Sequence, residues 1–241
     1  MRRITTTTTI TTPTATQNFK PKKAGAKDAL VVFLLDASAS MGSHKAATIS
    51  GFNEFLEIQK LSEIETKASL YEFTTSSVTP IFKITPVSHV APLTNASYSP
   101  RGMTNLYDAI GQTMNEVNDF ISLNKKKNRP SVTFVILTDG MENSSSKYND
   151  KQIKQMIELA EGKDWSFFFL GANIDAFAVG GALGIRKEAT IQYDMHNIAQ
   201  TMGYTSMTTN LMKNARSANM STNDAYSAAA FTDEQRKNVN R

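Results

Sequence analysis

The chain contains no cysteine. Disulfides, thiolate metal sites and cysteine nucleophiles are therefore all excluded, and a fold that needs no disulfide suits a reducing compartment. No apolar run approaches the ~18 residues that would suggest a membrane span. Two arginines follow Met1, as in a targeting signal. Threonines occupy 5–9, where an apolar stretch would have to follow, so no secretory signal is expected. A cytoplasmic protein without membrane association is the expectation. A phosphate-cradling Gly-x-x-x-x-Gly-Lys-Ser/Thr loop is also missing, as is a Ser/His/Asp set in plausible loops.

Acidic residues are absent from the first 27 positions, which hold Arg2, Arg3, Lys20, Lys22, Lys23 and Lys27. Of the 26 basic residues that leaves 20 against 22 acidic ones from Asp28 onward. The pI of about 9.1 thus describes the leading segment and not the body, and nucleic-acid binding is not inferred from it. Residues 5–16 are nearly all threonine. Such a segment buries too little apolar surface to offset its chain entropy, so 1–27 reads as a disordered Thr-rich, basic arm.

The remainder alternates strand and helix signals. The apolar, β-branched run 29–35 predicts a central parallel strand covered on both faces. A helix is expected over 45–60, with Phe52, Phe55 and Leu56 as its apolar stripe. Residues 66–74 and 78–87 read as strands joined by a short connection, so one of them should run antiparallel. Then come a helix over 104–123, a buried strand at 131–138, a helix at 150–161, an aromatic strand at 165–170, a short helix at 174–183, a weak strand at 189–193 and a last helix at 195–214. This order predicts an α/β fold, a three-layer, doubly wound, Rossmann-like sandwich. Its central sheet should be mostly parallel with one antiparallel edge strand, and helices should cover both faces. The domain is expected over 28–215, followed by a loose polar tail over 216–241 in which 224–231 forms at most a transient helix.

Ligands of open α/β sheets bind beyond the carboxyl ends of the strands. Three loops there carry Asp36-Ala-Ser38-Ala-Ser40, then Thr104, then Asp139-Gly140. Two carboxylates and three hydroxyls are chemically suited to a small hard dication, which seeks about six oxygens. Serines at alternate positions of an extended loop can point to one side. Few direct negative ligands leave such an ion electrophilic.

This pattern resembles the metal-ion-dependent adhesion site (MIDAS) of von Willebrand factor A (VWA) domains, over roughly residues 29–192. The Gly102-Met-Thr-Asn-Leu-Tyr-Asp108 segment is similar to that of intracellular bacterial and phage members of the tellurite-resistance-associated type. The resemblance implies metal binding by Asp36, Ser38, Ser40, Thr104 and Asp139, with the hydroxyls as direct ligands and the aspartates acting largely through water. It further implies Mg²⁺, with Mn²⁺ or Ca²⁺ as alternatives, and a partner protein that completes the shell with Asp or Glu. Arg101 departs from the pattern, since many members have a second glycine there.

The expected function is protein–protein interaction and not catalysis. A scaffold role in a phage or stress-response assembly is the alternative. A Mg²⁺-dependent phosphoryl-transfer enzyme also places an aspartate after its first strand, but would need a second acid where Ser38 stands. Other residues near the site have simpler readings. Ser38, Ser40 and Ser43 could cap the following helix, and Thr104 could cap its own. Glu142 and Asn143 read as rim residues, Asp108 as a solvated helix position and His44 as a surface histidine. His89 and His196 lack metal-like spacing.

Overall fold

A computed structural model describes residues 27–75 and 77–240. In chain order the elements are β1 (Ala29–Asp36), α1 (Lys45–Lys60), β2 (Thr66–Phe73), β3 (Val78–Pro86), α2 (Leu106–Ser122) and β4 (Ser131–Thr138). These are followed by α3 (Asp150–Glu161), β5 (Trp165–Ala172), α4 (Ala176–Ala182), β6 (Thr190–Tyr193), α5 (Ile198–Ser217), α6 (Thr222–Ala228) and α7 (Asp233–Val239). The six strands form one sheet in the order β3-β2-β1-β4-β5-β6. Only β3 runs antiparallel, at the edge beside β2. The expected α/β sandwich is what the chain forms. The Thr-rich arm expected over 1–27 lies outside the described residues except for Lys27, which pairs with Asp164.

β1 and β4 are buried at every position, as strands covered on both faces must be. Their aromatics sort by face. Phe33 meets Phe52 and Phe55 of α1 edge-on, each at 5.3 Å between ring centres. Phe134 stacks against Trp165 and Phe167, both at 5.4 Å, on the face that α2 and α3 cover. α5 packs beside α1 closely enough that a Cβ on Gly51 would lie 3.0 Å from Met202 Cγ, and Gln59 reaches across to the carbonyl and hydroxyl of Ser206. Among the described residues no helix is long and apolar enough to cross a membrane.

Two expectations need correction. The segment after 215 is not a loose tail: α6 and α7 fold back on the β5–β6 end of the sheet and bury Ala225, Tyr226, Ala229, Phe231 and Val239. The Tyr226 hydroxyl accepts a hydrogen bond from Phe167 N at 2.9 Å, where short β6 leaves β5 without a neighbour. The Arg236 guanidinium donates to the carbonyls of Phe231, Lys187, Glu188 and Thr190. A few well-spaced apolar residues suffice because each fills a place prepared by the sheet edge. Secondly, α2 starts at Leu106 and not at 104. Thr104 stays outside the helix, with its N–H donating to Asn143 Oδ1 at 3.0 Å and its carbonyl accepting from Asn143 N at 3.1 Å, so that carbonyl is engaged by the loop and not by the helical ladder.

Candidate metal centre

Strand order reverses its direction of growth between β1 and β4, and a crevice opens outside their carboxyl ends at such a switch point. Leu35 stands opposite Leu137 in the β1–β4 register. Asp36 and the Thr138–Asp139 pair are thereby brought to the same end of neighbouring strands. The hydrophobic runs of both strands stop there, so the first polar residue after each run is the one delivered to the crevice.

The five predicted residues meet on this face. Asp36 is fully buried, and its two oxygens accept from Ser38 N at 2.7 Å and from Thr138 Oγ1 at 2.6 Å. Ser38 Oγ lies 3.0 Å from Ser40 Oγ, and Ser40 Oγ donates to Asp139 Oδ1 at 2.7 Å. One relay thus links the first loop to the end of β4. Thr104 Oγ1 closes the third side: a Cβ on Gly140 would lie only 2.9 Å from it. The loops are tied through their backbones as well, by Ala39 N to Gly102 O at 3.0 Å and Arg101 N to Ala37 O at 2.7 Å.

Helix capping does not explain these hydroxyls. Neither the turn at Ala39–His44 nor α1 has a side-chain bond at its N-cap, and α2 is preceded by Asn105 with none. Asn105 is itself buried, with its side-chain oxygen unpartnered among the described residues.

Burial pushes the Asp36 carboxyl up to about 6, against the opposing pull of its bonds from Thr138 and Ser38. Asp139 is likewise raised, first by burial, while the Ser40 bond pulls it down. Buried carboxylates favour a nearby cation. Among the described residues no group of three or more His, Cys, Asp or Glu gathers to hold a metal. The donors here are three hydroxyls and two carboxylates, a set that fits a hard, oxygen-seeking dication and supplies little negative charge of its own.

The supporting residues were the least legible. Asp108, expected to be solvated, is 4% exposed and accepts from the backbone N–H groups of Ser146, Lys147 and Tyr148. A carboxylate one turn inside a helix satisfies a loop that only the fold brings against it. Glu142 accepts from Tyr107 N, Ser144 N and Ser145 N, and Asn143 fixes Thr104, so both brace the site. Tyr98, whose hydroxyl donates to Asp36 O at 2.6 Å, and Thr138, whose hydroxyl donates to Asp36 Oδ2, brace Asp36 from outside the sequence motif. The hydroxyl at the very end of a buried apolar strand was the available signal for Thr138.

The family model for the von Willebrand factor type A domain matches residues 31–225. No curated protein matches the chain. Solved structures of similar fold include proximal thread matrix protein 1 from the mussel byssus, with 14% identity and a TM-score of 0.51 over 74% of this chain and 45% of that one. A von Willebrand factor type A structure from Catenulispora acidiphila has 13% identity and a TM-score of 0.50, over 75% and 42%. The pilus adhesin SpaC from Lactobacillus rhamnosus GG, in its open conformation, has 12% identity and a TM-score of 0.60, over 79% and 31%. The chain spans less than half of each of these structures, and at such identities the likeness concerns the fold alone.

Proposed function

The chain belongs to the von Willebrand factor type A domain family, and from that premise we propose that the crevice between β1 and β4 holds a divalent cation, Mg²⁺ by preference over Mn²⁺ or Ca²⁺, and uses it to capture an Asp or Glu side chain of a partner protein. Ser38, Ser40 and Thr104 would offer hydroxyl oxygens, and Asp36 and Asp139 the negative charge. The bound ion would supply Lewis-acid affinity for an incoming carboxylate.

The protein's own residues do the positioning. Asp36 spends its two oxygens on Ser38 N and Thr138 Oγ1 and so fixes the turn that presents the serines. Asn143 holds the Thr104 backbone at both its N–H and its carbonyl. The observation that carries the reading is the Ser38–Ser40–Asp139 relay, which gathers oxygens from two separate strand ends while making no side-chain capping bond to the turn or helix that follows. No nucleophile or general base belongs to the reading, so binding without turnover is its expected activity. The 102–108 segment is the ground for placing the chain with intracellular bacterial and phage members of the tellurite-resistance type, and for a cytoplasmic setting. The near-neutral charge of the body is the ground for a protein partner and not a nucleic acid.

Isothermal titration of Mg²⁺ into the full chain and into an Asp36→Ala/Ser38→Ala variant tests the metal site. Saturable heat lost in the variant is expected, and equal heats would end the proposal. EDTA-sensitive retention of an acidic partner tests the capture step. Retention indifferent to EDTA would favour a scaffold role instead.

A further inference from the structure

His44 and His196 are remote in sequence and adjacent in space, with ring centres 5.7 Å apart and ring planes at 75°. We propose that they form a second, separate cation site, a bis-imidazole pair for a borderline transition dication such as Zn²⁺. The inference does not rest on the Mg²⁺ site, whose donors are all oxygens.

The spacing fits. With metal–nitrogen bonds of ~2.0–2.1 Å and a ring nitrogen roughly 1 Å from its ring centre, two imidazoles sharing one tetrahedral ion hold their centres about 5–6 Å apart. Both rings stand on anchored backbone. His44 ends the turn at Ala39–His44, and its carbonyl accepts from Thr48 Oγ1 at 3.0 Å. His196 lies in the Met195–Asn197 turn that precedes α5, with its N–H on Asp194 Oδ1 at 2.8 Å. Asp194 N and Asn197 Nδ2 both donate to Val239 O, at 2.7 and 3.1 Å, so α7 clamps that turn in place. An arriving ion can reach the pair, because His44 is only half-buried and His196 is exposed.

Imidazole ligands select zinc, copper or nickel over magnesium, which prefers oxygen. The two sites are therefore orthogonal in chemistry although neighbours in space. An ion bridging the two histidines ties the turn that carries Ser40 to the start of α5. Zinc would thus fix one wall of the oxygen site without entering it. The chain has three histidines, and the third, His89, sits in the turn after β3.

The test is zinc titration of the full chain in saturating Mg²⁺, followed by calorimetry and by the imidazole resonances in NMR. Wild type, His44→Ala, His196→Ala and Asp36→Ala/Ser38→Ala are compared. One zinc equivalent is expected to move the His44 and His196 resonances. Affinity should fall at least tenfold in each histidine variant and persist in the Asp36→Ala/Ser38→Ala chain. Because His196 is exposed, its variant should remain folded. Zinc binding that survives both single histidine substitutions, or that moves neither ring resonance, would overturn the proposal.

Discussion

Lys213 offers the sharpest quantitative check of the packing. It lies on α5, is 1% exposed, and its ammonium donates to Thr66 Oγ1 at 3.1 Å. Among the described residues no carboxylate pairs with it. Burial lowers it from the ordinary 10.5 to about 7, and that drop corresponds to about 5 kcal/mol between the protonation states. The sign follows from proton counting. Between pH 7 and pH 10.5 the unfolded chain holds a proton on this amine that the folded chain has released, so stability rises with pH across that window. Below pH 7 the full penalty for burial is present. Lys213→Met keeps most of the stem and removes the ionisable group, while Thr66 Oγ1 keeps its own bond to Ile64 O. The variant should therefore be more stable than wild type by roughly 2–5 kcal/mol at pH 6. That advantage should shrink by about 1.4 kcal/mol per pH unit between pH 7 and pH 10. Urea unfolding of both proteins across this range measures the difference, and titrations elsewhere cancel in it. A gap that stays constant from pH 7 to pH 10 would refute the reasoning.

Three further outcomes are expected. Gly140→Ala places a methyl 2.9 Å from Thr104 Oγ1, so Mg²⁺ affinity measured by calorimetry should fall about tenfold, a loss of ~1.4 kcal/mol, with the fold intact by circular dichroism. Asp108→Ala strips three backbone N–H groups of their acceptor and should destabilise the protein by about 2–3 kcal/mol in urea titrations; an unchanged midpoint would count against a bracing role. Arg236→Ala removes the donor that serves four carbonyls around β6. It should cost about 1–3 kcal/mol and raise amide hydrogen exchange at the β6 edge before that of β1 or β4.

What the chain alone determined is local. The continuous apolar run at 29–35 and the β-branched, apolar-rich run at 131–138 specify strands covered on both faces, because only such strands bury every residue. The alternation of these runs with helical periodicity sets the layer order. The polar residue that ends each run, Asp36 or Asp139, marks the ligand edge, since parallel strands must all present their carboxyl ends on one side. Residues whose roles come from remote neighbours were decided only by tertiary structure. Asp108 looked solvated until the 144–148 loop was laid against it. His44 and His196 looked solitary until the turn before α5 met the turn before α1. The polar stretch after 215 looked loose because its few apolar residues have no periodicity of their own. They are spaced to fit the unfilled end of β5 and β6, a surface that exists only once the sheet is assembled.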